Sequence, residues 1–135
     1  MQYFSVQELV DKATWMREGE ESIRLFTPQA LAMIEGIRKF FGVPIYVNNW
    51  HIDGNFQYRG FRPQDCGVGA AYSQHYCGNA FDFDVHDMSA EHARNIILEN
   101  KYNPLLKNIM RMESNVNWVH ADCKSVGDRI ILFNH

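Results

Sequence analysis

The chain has 135 residues and a formal net charge of −3, and 46% of its residues are hydrophobic. This length and composition suit one folded domain and argue against disorder. No dense basic run is present, which argues against nucleic acid as a main partner, and no apolar run approaches the roughly 20 residues of a membrane span. We therefore expect a single domain over residues 1–135, monomeric and without nucleic-acid or membrane partners.

The N-terminus, "MQYFSVQELVDKATW", does not resemble a secretory signal, because it lacks a basic start followed by an apolar stretch. We expect synthesis in a reducing cytoplasm. Cys66, Cys77 and Cys123 are odd in number and form no C-x-x-C pair, so neither a disulfide framework nor a structural zinc knot is expected. We interpret all three as buried free thiols.

The first half of the chain predicts helices followed by a loop. Residues 5–26 are loosely helical, and "FTPQALAMIEGIRKFFGVP" is a helix with Thr27 as its N-cap, Pro28 in its first turn and Gly42 at its end. "PIYVNNW" predicts a short strand. Residues 51–72 are rich in Gly, Asn, Asp and Gln and predict a long surface loop, of a kind that is often functional.

The second half predicts four strands and one helix. "NAFDFDVH" is the first strand, and Ser89 caps a helix that runs to about Asn100. Three further strands are predicted around "NIMRME", "NWVHADC" and "DRIILFN". The fold class that follows is α+β, with helices packed on a small, mainly antiparallel sheet.

The strand "NAFDFDVH" has two chemically different faces, because alternate side chains of a strand point the same way. One face is apolar, and the other carries Asp82, Asp84 and His86. The polar face has two simple interpretations: it meets water, or these three side chains form a metal site.

A third interpretation comes from the turn before this strand, where residues 73–82 read S-x-H-x-x-G-x-A-x-D. Gly78 would let the backbone turn so that His75 comes back toward Asp82. The later strand "NWVHAD" alternates in the same manner, and as a neighbour it would place His120 beside Asp82. Two imidazoles and one carboxylate form a zinc site with an open position for water.

S-x-H-x-x-G-x-A-x-D followed by W-x-H-x-D resembles the zinc D-alanyl-D-alanine carboxypeptidase family. This family includes vancomycin-resistance dipeptidases, phage L-alanyl-D-glutamate endolysins and, more distantly, the hedgehog signalling domain. The similarity runs from about Phe40 to Asp122 and includes "FFGVPIYVNN" and "FRPQDCGVGAAYSQH". It implies a metallopeptidase with one Zn²⁺ per chain, held by His75, Asp82 and His120, that hydrolyses peptidoglycan peptides containing D-amino acids.

The resemblance also implies roles for other residues. Many relatives carry an acidic residue three positions before the last histidine, but here this residue is Asn117, which cannot accept a proton. Glu113 is the candidate general base in its place. Arg62 suits a substrate carboxylate or the oxyanion, with Arg59 as a competitor. Ser73 either binds substrate or braces the turn.

Several residues have secondary interpretations. Asp122 and Asp84 are candidates for holding a ligand histidine in place. We interpret the remaining histidines as surface or incidental residues: His51, His92 and His135.

Two alternatives to a peptidase stay open from the sequence. A zinc-containing binding or structural module of the same fold would not hydrolyse anything, and Asn117 keeps this alternative open. A solvated polar strand without metal is the other. The absence of a signal and of a separate wall-binding module favours a compact phage-type enzyme that reaches the cell wall once lysis begins.

Overall fold

Three α-helices and a five-stranded sheet form the part of the chain that this computed structural model describes, residues 1–69 and 73–134. The helices are α1 (Lys12–Glu18), α2 (Pro28–Phe41) and α3 (Ala90–Glu99). The strands are β1 (Ile45–Tyr46), β2 (Ala80–Val85), β3 (Arg111–Glu113), β4 (Val119–Asp122) and β5 (Ile131–Phe133). The predicted α+β class is therefore confirmed.

The sheet has the strand order β1-β2-β4-β3-β5. Neighbouring strands are antiparallel except β3 and β5, which are parallel. Asp82 of β2 lies opposite His120 of β4, and Arg111 of β3 lies opposite Asp122 of β4. The sheet is thus mainly antiparallel, as predicted, and three central strands bring the motif residues side by side.

The two longer helices begin and end where the sequence predicts. The Thr27 hydroxyl accepts a hydrogen bond from the Ala30 N–H at 3.1 Å, and Gly42 ends α2 with a φ of 69°. Ser89 caps α3 in the same manner, because its hydroxyl accepts from the His92 N–H at 3.1 Å. Such caps satisfy amide groups that lack partners in the first helical turn.

One face of the sheet packs against the helices and forms the core. The fully buried side chains that β2, β3, β4, α2 and α3 contribute to it include Phe81, Phe83, Met112, Val119, Ala121, Ile34, Ile37, Ala93 and Ile97. Burying each large apolar side chain stabilises the fold by roughly 1.5–3 kcal/mol. The core therefore fixes the strands from one side and leaves the opposite face of β2, β4 and β3 for polar side chains.

Two expectations need correction. The strand predicted in "PIYVNNW" is limited to Ile45–Tyr46, because the Asn48 N–H leaves the sheet and donates to the Glu8 carbonyl at 3.0 Å. The three thiols are free, but the prediction that they are buried is wrong, because Cys66 and Cys123 are only partly buried. Cys77 is exposed, because it lies in the tight turn whose inward position is taken by His75.

The predicted loop contains two short 3-10 turns, Trp50–Ile52 and Gln64–Cys66, and its residues 70–72 lie outside the described part of the chain. His92 is exposed and His51 is partly buried, whereas His135 lies outside the described residues. Within residues 1–69 and 73–134, no helix has the length and apolarity needed to cross a membrane.

Candidate metal centre

Three buried side chains converge at one point on the polar face of the sheet. His75, Asp82 and His120 each offer a ligand atom, and these atoms all lie within 4.8 Å of one another. Asp82 Oδ1 lies 3.2 Å from His75 Nε2 and 2.8 Å from His120 Nδ1. Exposed fractions of 1%, 5% and 6% place all three below the surface. The trio predicted from the sequence is thus brought together.

A glycine turn delivers His75 to this point. Gly78 has a φ of 65°, and its N–H donates to the His75 carbonyl at 3.2 Å. A Cβ at Gly78 would lie 1.8 Å from the Leu25 carbonyl oxygen, so a larger residue does not fit there. The Ser73 hydroxyl braces the turn by accepting from the His75 N–H at 3.2 Å.

The pairing of β2 with β4 places Asp82 and His120, the other two residues of the trio. Asp82 and His120 are direct partners in the antiparallel register, so their side chains lie on the same face. Because Asp82 is only 5% exposed, the interpretation of this face as simply solvated is wrong. The rival trio is not formed either, since Asp84 pairs with Arg59 and His86 bonds to the Tyr46 hydroxyl.

Each histidine is oriented by a hydrogen bond on its far side. His75 Nδ1 lies 2.8 Å from the Gly60 carbonyl, which can only accept, so Nδ1 carries the proton and Nε2 presents a lone pair to Asp82. His120 Nε2 donates to Asp122 Oδ2 at 2.9 Å and directs Nδ1 to Asp82. Partners of this kind set the tautomer of metal-binding histidines.

The charges of the trio follow from these contacts. Burial lowers the pKa of His75, so the ring is neutral at pH 7. Burial alone would raise the pKa of Asp82, but His75 and His120 together lower it, and the carboxyl is ionised. Burial would also lower the pKa of His120, yet hydrogen bonds to Asp122 and Asp82 raise it to about 9.

The donor set fits a zinc ion. Ligand atoms around a tetrahedral Zn²⁺ lie roughly 3.3–3.6 Å apart, given bonds of about 2.0–2.2 Å. The two contacts to Asp82 Oδ1, at 3.2 and 2.8 Å, need only a small expansion to reach that spacing. If both rings were neutral, His75 Nε2 and His120 Nδ1 would each turn a lone pair toward the Asp82 carboxylate oxygen. Such an arrangement calls for a proton or a metal ion between them.

The trio lies in the wall of a cavity of about 480 Å³. Glu113 lines the same cavity and is 8% exposed. The register of β3 with β4, continued by one residue, places Glu113 opposite His120. The two arginines of the cavity form ion pairs with Asp82 and Asp122 instead of Glu113. Among the described residues, the Glu113 carboxylate thus lies beside the trio without an arginine partner.

Of the two candidate arginines, Arg62 lines the cavity. Its Nη2 donates to Asp82 Oδ2 at 3.0 Å, and its Nε donates to the Tyr58 carbonyl at 2.7 Å. Arg59 lies outside this lining, pairs with Asp84 at 2.9 Å and stacks over Phe56. The interpretation of Asp84 as a support for a ligand histidine is therefore wrong, because Arg59 holds it elsewhere.

Asn117 is exposed and lines a different groove. The Gly60 carbonyl and three side chains of the cavity wall were not predicted from the sequence: Arg111, Lys124 and Phe133. Strand alternation could have placed Arg111 on the same face as Glu113, but nothing in the sequence marks a backbone carbonyl as a partner of His75.

Comparison with known protein families identifies a related family. A family model described as Peptidase M15 matches residues 2–122, which is most of the chain and includes all three members of the trio. Comparisons with curated proteins and with solved structures gave no significant match. Lys124 and Phe133 of the cavity wall follow the matched region.

Proposed function

Because the chain belongs to the peptidase M15 family of metallopeptidases, we propose that it is a zinc enzyme that hydrolyses peptidoglycan peptides, as a D-Ala-D-Ala carboxypeptidase or an L-Ala-D-Glu endopeptidase. One observation supports this proposal most strongly. His75, Asp82 and His120 converge in the wall of a cavity that also presents the buried carboxylate of Glu113. A metal-ligand set beside a general-base candidate is the arrangement that metal-assisted hydrolysis needs.

The three converging side chains would hold the ion. His75 would bind through Nε2 and His120 through Nδ1, because the opposite nitrogen of each ring is engaged by Gly60 or Asp122. Zn²⁺ bound there supplies Lewis acidity, which polarises a peptide carbonyl and makes water a stronger acid.

Glu113 would move the protons of the reaction. Its carboxylate takes a proton from the attacking water and later gives it to the leaving amine, so that one residue acts first as base and then as acid. The place of Glu113 opposite His120 supports this role. Asn117 has neither a suitable side chain nor a place in the cavity.

Arg62 would bind the substrate. A guanidinium has five N–H donors, and the contacts to Asp82 and Tyr58 use two of them. The other three have no partner among the described residues and would bind a substrate carboxylate or the oxyanion that forms at the scissile carbonyl. Ser73 accepts the His75 N–H, which leaves its hydroxyl proton to donate to substrate at the cavity wall.

The test is digestion of purified muropeptides by zinc-loaded protein and by protein stripped with a chelator, with products identified by mass spectrometry. A carboxypeptidase releases the terminal D-alanine, whereas an endopeptidase separates L-alanine from D-glutamate. We expect one of these products from the zinc-loaded sample only. No product from either substrate type in a zinc-loaded sample would contradict the proposal and favour a zinc-containing binding or structural module.

A further inference from the structure

A continuous set of contacts leads away from His120 on the side opposite the metal site. Its Nε2 donates to Asp122 Oδ2 at 2.9 Å. Arg111 then binds both oxygens of the same carboxylate, with Nη2 2.8 Å from Oδ2 and Nε 3.0 Å from Oδ1. The Lys124 N–H adds a fourth bond, to Oδ1 at 3.1 Å. Asp122 is fully buried and is therefore held in one orientation.

Arg111 is itself held in place by an aromatic ring. The guanidinium carbon lies 4.2 Å from the centre of the Phe133 ring, a distance typical of a cation–π contact. The Phe133 ring also packs against His120, with ring centres 5.5 Å apart and an interplanar angle of 88°. The parallel pairing of β5 with β3 sets this position, because it places Phe133 opposite Glu113.

Two features make this arrangement more than an ordinary ion pair. A planar guanidinium that binds both oxygens fixes the plane of the carboxylate, which a single contact does not do. The fixed carboxylate then determines which His120 nitrogen carries a proton and which faces Asp82. The contact between Phe133 and His120 also limits rotation of the imidazole.

We infer that Arg111 is a positioning residue that acts through Asp122 to hold His120 in its metal-binding orientation. This inference rests on the metal site of the proposed function. Arg111 also lines the cavity, so direct substrate binding is the competing explanation. The two explanations differ in what they predict for the substrate-free protein, because a positioning residue affects metal binding and a substrate-binding residue does not.

The experiment measures Zn²⁺ affinity by competition with a chromophoric chelator, without any substrate. Arg111→Met should weaken zinc binding by about 10- to 100-fold, the range found when a partner of a metal-binding histidine is lost. Arg111→Lys should lie between this variant and the wild type, because lysine keeps the charge but cannot bind both oxygens. Arg59→Met is the matched control, since it removes an ion pair of 2.9 Å to Asp84 without touching a histidine of the trio.

Two further measurements make the result specific. The visible absorption spectrum of the Co²⁺-substituted protein should change in Arg111→Met and stay as in the wild type in Arg59→Met. Combining Arg111→Met with Asp122→Asn should weaken zinc binding little more than the stronger single variant does, because the two residues act as one unit. Circular dichroism of the metal-free proteins verifies folding, and Arg111→Lys carries the test if Arg111→Met does not fold.

Wild-type zinc affinity and an unchanged cobalt spectrum in Arg111→Met would overturn the inference, as would fully additive effects in the double variant. If Arg111→Met keeps wild-type zinc affinity and also cleaves muropeptides as the wild type does, the inference fails and the proposed function stands. A wild-type protein that binds no metal would overturn both.

Discussion

Asp82 and His120 face each other across β2 and β4, with Asp82 Oδ1 2.8 Å from His120 Nδ1. Both groups are buried, and the other nitrogen of His120 already donates to Asp122. The space between Oδ1 and Nδ1 thus holds a proton or a metal ion. Hydrogen bonds to Asp122 and Asp82 raise the pKa of His120 to about 9 and so favour a proton on Nδ1. This proton and a metal ion bound at Nδ1 exclude each other.

The first prediction is that zinc binding releases protons. At pH 6.5, His120 of the metal-free protein is protonated, because its pKa of about 9 lies well above that pH. The pKa of Asp82 and the pKa of His75 are both lowered, so these two groups contribute less to proton release than His120 does. Binding at pH 6.5 should therefore release about one proton per zinc, most of it from His120.

Isothermal titration calorimetry in buffers of different ionisation enthalpy measures this number. The direction of the pH dependence of zinc affinity follows from this exchange. Lowering the pH favours the proton on His120 and therefore weakens zinc binding. Release of no proton at pH 6.5 would mean that His120 is not the group that zinc displaces.

A second prediction concerns thermal stability. The three candidate ligands come from the turn before β2, from β2 itself and from β4, so an ion that they bind only in the folded chain would stabilise it. At a free zinc concentration of 100 times Kd, this linkage contributes about 2.7 kcal/mol. Chelation should therefore lower the Tm, and added zinc should restore it.

Scanning calorimetry of metal-analysed samples makes the measurement. His75→Ala should lose the response to zinc, whereas His92→Ala, a change on the exposed surface of α3, should keep it. Identical melting curves with and without the metal would speak against an ion held by these three residues.

The third prediction concerns which of two arginines, Arg62 or Arg59, binds substrate. Arg62→Ala should lower kcat/KM for muropeptides by roughly 10- to 100-fold, because a hydrogen bond to a charged group contributes roughly 1.5–3 kcal/mol. Arg59→Ala should leave kcat/KM nearly unchanged, since Arg59 pairs with Asp84 and lies outside the cavity lining. Steady-state kinetics with zinc content measured on the same samples tests both. A larger loss in Arg59→Ala would reverse the assignment.

A fourth prediction concerns the thiols. Burial, with a smaller contribution from Asp122, raises the pKa of Cys123 to about 12, and the thiolate is the reactive form. Iodoacetamide at pH 8 should modify the exposed Cys77 quickly and leave Cys123 unmodified in the folded protein. Peptide mapping by mass spectrometry identifies the modified residues, and all three thiols should react in denaturant. Equal rates for Cys77 and Cys123 in the folded state would refute the placement of Cys123.

The sequence predicts the trio well because its geometry depends on local features. Gly78 and the short spacing from His75 to Asp82 define a turn, and strand alternation places His120 on a chosen face. These constraints act within a few residues, or through one strand pairing. The structure accordingly agrees with the prediction that these side chains converge.

The groups that contact and orient the histidines of the trio are brought there by tertiary packing, which the sequence does not reveal. The Gly60 carbonyl reaches His75 only because the loop folds back beside β2, where the Asp82 N–H donates to the Arg59 carbonyl. The contact of Phe133 with His120 depends on β5 joining the sheet beside β3. Burial of the three thiols was predicted incorrectly for the same reason, since residue type alone does not tell how far a side chain lies from the surface.

The most direct test of a zinc peptidase at this site is a comparison of wild type, Glu113→Gln and Asn117→Ala on muropeptides, with zinc measured in each sample. Glutamine has nearly the shape of glutamate but cannot accept a proton, so Glu113→Gln should bind one zinc per chain and lose about 10²- to 10⁴-fold in turnover. Asn117→Ala should match the wild type, because Asn117 is exposed and lies outside the cavity lining. Full turnover by zinc-loaded Glu113→Gln would contradict the account.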